Sequence, residues 1–102
     1  MTKSEIIKKY LPTSLTPVVS GRTILFEVSP DELQDVCLAL SGEHQLPLKN
    51  MFATDERSTD NAFKIFYVFG VPKENYFLVP YLRLVNTTEF PSLAGVLYAT
   101  AL

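Results

Sequence analysis

The chain has little of what a catalytic centre needs. Its 102 residues include one cysteine, Cys37, and one histidine, His44. One cysteine cannot close an internal disulfide, so the chain reads as intracellular. A structural zinc or an iron–sulfur cluster takes about four ligands, usually Cys or His, more than this chain can supply alone. A lone histidine also leaves no Ser/His/Asp or Cys/His arrangement to activate a nucleophile. The glycines Gly21, Gly42, Gly70 and Gly95 stand apart from one another. None forms a phosphate-cradling loop ahead of a helix, which argues against nucleotide binding.

Charge of one sign is also scarce. The formal net charge is −2 and there is no Lys/Arg run. Binding to nucleic acid needs clustered cations to displace counterions, so no nucleic-acid partner is expected. Lys3, Lys8 and Lys9 are the nearest approach to a basic patch and read as the solvated face of a helix. Residues 1–10 are mixed and charged, unlike a secretory leader. The longest late uncharged run, residues 90–102, falls short of the roughly 20 residues that cross a bilayer, so no direct membrane insertion is expected.

Apolar residues are what the chain does have: 47% of the sequence, with a mean hydropathy of +0.15. The length suits one domain over residues 1–102. The excess hydrophobicity fits either a tight core or a surface that a partner covers.

Ile6, Ile7, Tyr10 and Leu11 recur at helical spacing behind Ser4 as a cap, and Pro12 stops that helix. Residues 15–19 and 23–28 read as a hairpin turning at Gly21. Ser29-Pro30-Asp31-Glu32 is a helix start, with a capping Ser, Pro at the first position, acidic residues at the positive dipole end and a Glu completing a capping box. Leu33, Val36, Cys37 and Leu40 form one apolar stripe behind it, and Gly42 is expected to end the helix in a left-handed conformation. Residues 48–54, 63–71 and 76–85 read as strands, 55–61 as a polar turn and 72–75 as a connection. The expected architecture is α+β and two-layered, with two helices on one face of a mainly antiparallel five-stranded sheet, in the order α-β-β-α-β-β-β. Residues 90–102 carry no assignable pattern.

A strand with one face in water should alternate apolar and polar residues. The last two strands do not. One face of residues 63–71 carries Phe63, Ile65, Tyr67, Phe69 and Val71, the other Lys64, Phe66, Val68 and Gly70. In residues 76–85 the sets are Tyr76, Leu78, Pro80, Leu82 and Leu84 against Phe77, Val79, Tyr81, Arg83 and Val85. Two short helices cover one face only. The second face meets either the chain's own residues after Phe90 or another chain. Pro80 cannot donate to a ladder, which predicts an edge strand or a bulge there. The interface candidates are Phe66, Val68, Val79 and Tyr81, with Phe90, Pro91, Ser92 and Leu93 beyond the last strand. Phe66→Asp and Val79→Asp distinguish a docking face, where binding weakens, from ordinary core, where the domain unfolds.

The reactive residue types have plainer explanations. Cys37 lies on the apolar stripe, where a small core thiol belongs, and His44 reads as a loop surface residue. Asp55, Glu56, Arg57 and Asp60 fit a solvated turn. Adjacent carboxylates on a strand point to opposite faces, and a calcium loop would need a glycine. No catalytic, cofactor-binding or metal-ligating residue is expected in this domain, and no cofactor.

Two stretches carry a family resemblance. Met51-Phe52-Ala53-Thr54-Asp55-Glu56-Arg57, followed by Asn61-Ala62-Phe63-Lys64-Ile65-Phe66-Tyr67-Val68-Phe69, resembles the (A/G)TDER…G-x-F-x-L-x-Y-V segment in the N-terminal part of formate-hydrogenlyase-type nickel–iron hydrogenase large subunits. Glu89-Phe90-Pro91-Ser92-Leu93 is similar to the FPS turn after the last strand in the NADH dehydrogenase 30-kDa subunit family of respiratory complex I. With the element order, the likeness covers most of the chain. The Trp-x-x-Glu-Arg-Glu-like segment that follows the turn in that family is absent, and Tyr98-Ala99-Thr100-Ala101 lacks the family's proline. The chain is therefore expected to be a fragment of a longer one, an expectation that its apolar end supports. The resemblance implies a non-catalytic scaffold or assembly domain of a membrane-associated hydrogenase or NADH:quinone oxidoreductase-like complex. Such a domain is cytoplasmic, peripheral to the inner membrane, and packed against the catalytic and cluster-bearing subunits. The alternative is a free-standing α+β binding or regulatory module that forms a homodimer through the uncovered face.

Overall fold

The structure is a computed structural model, and its description covers residues 1–85. The N-terminal helix α1 spans Lys3–Tyr10 and is capped by Thr2, not Ser4: the Thr2 hydroxyl accepts from the Glu5 N–H while Glu5 reaches back to the Thr2 N–H. Strands β1 (Val18–Ser20) and β2 (Thr23–Glu27) form the expected hairpin around Gly21, whose φ of 59° lies in the left-handed region. Helix α2, Pro30–Leu38, starts on the expected Ser29/Glu32 capping box, and its stripe residues Leu33, Val36, Cys37 and Leu40 are all buried.

The end of α2 differs from the expectation at Gly42. The helix widens into a π-helical turn, Ala39–Glu43, closed by hydrogen bonds from His44 N–H to the Ala39 carbonyl and from Leu46 N–H to the Leu40 carbonyl. The left-handed residue that ends it is Gln45, with φ 55°. Both Leu40 and Leu46 are buried by this arrangement.

The second half begins with strand β3, Leu48–Glu56, which runs two residues into the expected polar turn. The rest of that turn is a single helical turn α3, Arg57–Asp60, ended by Asn61 at φ 50°. Strands β4 (Ala62–Val71) and β5 (Tyr76–Val85) follow.

The five strands lie in the order β1-β2-β5-β4-β3. All neighbours are antiparallel except β2 and β5, which run parallel. The fold is the expected two-layer α+β arrangement, with a mixed sheet. The core lies between α1, α2 and one sheet face that carries Ile24, Phe26, Ile65, Tyr67, Phe69, Leu78 and Leu82. Pro80 is fully buried there, and its strand β5 is the central one, not an edge. The register with β4 does not shift, so there is no bulge. Instead the ladder lapses opposite Pro80: pairing runs through Phe66↔Tyr81 and resumes at Phe69↔Leu78. On the other side Pro80 stays in register with Phe26 of β2. The missing N–H is absorbed by a local gap with one neighbour.

Candidate docking face of the sheet

Because side chains alternate across a strand, burying Ile65, Tyr67 and Phe69 under the helices sends Lys64, Phe66, Val68 and Gly70 to the opposite face. Strand register then sets three rows there. Phe52 of β3 faces Phe66, which faces Tyr81 and then Glu27 of β2. Val79 sits beside Leu25, and Phe77 lies between Gly70 and Thr23. The Phe52 and Phe66 rings stack at 4.9 Å and 19°, and Phe66 and Tyr81 lie 5.4 Å apart at 31°. Such aromatic pairs add about 0.5–1.5 kcal/mol each beyond the area they cover.

These rows enclose a shallow trough of about 260 Å³, lined by residues of β2, β3, β4 and β5 alone. Val79 lies buried in it at 3% exposure, while Phe52 (44%) and Phe77 (37%) stand exposed at its rim. Of the sequence-derived candidates, Phe66, Val68 and Val79 line the trough, and Tyr81 adjoins it through Phe66. Phe90, Pro91, Ser92 and Leu93 lie outside the described residues. Phe52, Phe77, Leu25 and Thr23 belong to the trough but were not among the candidates. The alternation of β3 and β2 could have flagged them, but their partners depend on strand order.

A charged network closes one end of the face. Asp60 takes two parallel hydrogen bonds of 3.0 Å from the Arg83 guanidinium, whose Nη2 also reaches the Asp60 carbonyl at 3.1 Å. The Lys64 ammonium lies 3.3 Å from both Asp60 and Glu56, and Glu56 accepts a 2.6 Å bond from Thr54. The Arg83 bonds, followed by that from Lys64, pull the Asp60 carboxyl down to about 2. Asp55 is held bidentately by Arg57, whose guanidinium sits 4.5 Å from the centre of the Phe63 ring.

This arrangement stabilises structure and presents an apolar surface. Cys37 is fully buried and burial pushes its thiol up to about 11, the opposite of an activated nucleophile. His44 is half-buried with its ring edge-on to Tyr10 at 4.8 Å. Among the described residues no group of three His, Cys, Asp or Glu side chains is placed to hold a metal ion.

No family model matches the chain, and no curated protein matches it either. The fold is similar to that of a chain in a solved structure, the membrane-bound sulfane sulfur reductase, an archaeal respiratory membrane complex. The two superpose with a TM-score of 0.65 at 19% sequence identity, over 78% of this chain and 48% of that one. This chain thus matches about half the length of its structural neighbour. Among the described residues no helix is long and apolar enough to cross a membrane.

Proposed function

We propose that the chain is a non-catalytic scaffold or assembly domain of a membrane-associated hydrogenase or NADH:quinone oxidoreductase-like complex. It packs through the helix-free face of its sheet against the catalytic and cluster-bearing subunits. On this reading residues 1–102 form one domain of the NADH dehydrogenase 30-kDa subunit type, held on the cytoplasmic side of the inner membrane by its partners. The observation that carries the reading is the trough: an apolar surface rimmed by the exposed rings of Phe52 and Phe77, on a sheet whose helices α1 and α2 pack on the other side. Exposed apolar surface of this kind marks an interaction site more often than chance placement. The likeness of fold to a chain of a respiratory membrane complex adds to it.

The test is co-purification. Tagged chain, expressed with the large and cluster-bearing subunits of its host assembly, is expected to co-elute with them, and Phe66→Asp to come away alone while still folded. Wild-type chain that elutes without them, in a host whose assembly is active when the chain is deleted, rules the role out. A concentration-dependent dimer indifferent to those subunits would favour the self-associating module instead.

A further inference from the structure

The docking face is electrically lopsided. At its Arg83 end both cations have carboxylate partners: Arg83 and Lys64 on Asp60, and Lys64 also on Glu56. At the opposite end, Lys49 and Lys73 are exposed and neither forms an ion pair among the described residues. Both line a second depression of about 340 Å³ that adjoins the trough and shares Phe77 with it.

Two local features place these lysines. Gly70 leaves room for the Lys49 stem, whose Cε and Cγ come within 3.2 and 3.3 Å of where a side chain at Gly70 would begin. The turn between β4 and β5 holds Lys73 at φ 74° and Asn75 at φ 57°. Non-glycine residues in that region are uncommon and persist where the surroundings impose them. The result is an apolar trough leading into a cationic cup. From Tyr81 to Phe77 the path covers four residues, about 13 Å of extended chain at the usual strand rise.

We propose that trough and cup together receive one extended polypeptide segment of a partner subunit. The segment is apolar along its body and carries carboxylates at the end that lies over Lys49 and Lys73. This deepens the docking reading and rests on it. A bilayer surface fits less well. Membrane-surface elements present a protruding apolar face with many cations to anionic lipid. Here the surface is concave, and its far end carries Glu27, Glu56 and Asp60.

Two short synthetic peptides, blocked at both ends, test it. They share an alternating leucine–threonine body; one ends in paired glutamates, the other in paired lysines. Backbone amide shifts of the isotope-labelled full chain are followed with each peptide and with vesicles of mixed anionic and zwitterionic phospholipid. The glutamate peptide is expected to move Val68, Phe77 and Val79 and to bind about tenfold more tightly at low salt, equivalent to about 1.4 kcal/mol. The K49E/K73E variant is expected to reverse that preference; K49Q/K73Q removes it while apolar binding persists, which guards against a fold defect in the first variant. Equal affinity for both peptides, shifts away from this face, or binding to vesicles in place of peptide overturns the proposal. If the peptides bind equally and the chain still co-purifies with its subunits, the polarity is wrong and the docking role stands. If the face binds nothing in either experiment, both fall.

Discussion

Arg83 and Asp60, 23 residues apart, meet in two parallel 3.0 Å hydrogen bonds that tie the central strand to the helical turn between β3 and β4. The planar guanidinium fork matches a carboxylate in two places at once, a geometry that lysine cannot reproduce.

That clamp has a pH signature. The Asp60 carboxyl lies at about 2 when folded against an ordinary value of 3.8. A depressed folded value means that the stabilisation is complete above about pH 4 and is lost as pH falls toward about 2. Thermal unfolding of wild type is expected to show this loss, and Asp60→Asn to lower stability at neutral pH while flattening that part of the acid profile. Glu5, Glu32, Asp55 and Glu56 are also depressed by their hydrogen bonds, so some acid sensitivity remains in the variant.

The two sheet faces are expected to respond oppositely to substitution. Phe69 is 1% exposed within the core, and Phe69→Ala is expected to cost about 3–5 kcal/mol in urea unfolding. Phe52→Ser, on the exposed rim, is expected to leave stability within about 1 kcal/mol of wild type and to weaken co-purification. Val79 lies on the docking face but is buried, so Val79→Asp is expected to unfold the domain and Phe66→Asp is the usable probe of that pair.

Tyr67 carries a hydroxyl that is fully buried and has no hydrogen-bond partner among the described residues. Burial, with a smaller contribution from nearby Cys37, pushes its phenol well above the ordinary range. Removing an unsatisfied buried group while keeping the ring removes a desolvation penalty. Tyr67→Phe is expected to leave stability unchanged or raise it by up to about 1 kcal/mol in urea titration. A clear loss would mean that the hydroxyl has found a partner.

Ser29→Ala removes the hydroxyl that accepts the Glu32 N–H at 3.2 Å, and is expected to cost about 1 kcal/mol in the same titration.

Cys37 should be chemically silent. With no exposure and a thiol raised to about 11, it is expected to resist a thiol-modifying reagent in native buffer and to react fully in denaturant.

Much of this was readable beforehand wherever a local rule decides the outcome. The Ser29 box, the stripe from Leu33 to Leu40 and the alternation in β4 and β5 depend on neighbours within a few positions, and all stand as expected. What could not be read depends on distant pairing. Pro80 looks like an edge residue until β2 is seen to lie parallel beside it. Phe52 and Phe77 join Phe66 and Val79 only once strand order is known. The widened turn after Leu38 follows from seating Leu40 and Leu46 together in the core, and the Asp60–Arg83 clamp spans two strands and a turn.

The strand order also bears on how the chain assembles. The β1–β2 and β3–β4 hairpins share no border until residues 76–85 slide between them, so during synthesis the keystone arrives after both flanks. Until then each flank leaves an open ladder of backbone donors and acceptors beside greasy side chains, a sticky state for a nascent polypeptide. Pairing so remote in sequence is intrinsically slow, which makes early capture by a chaperone or a waiting neighbour valuable to this fold.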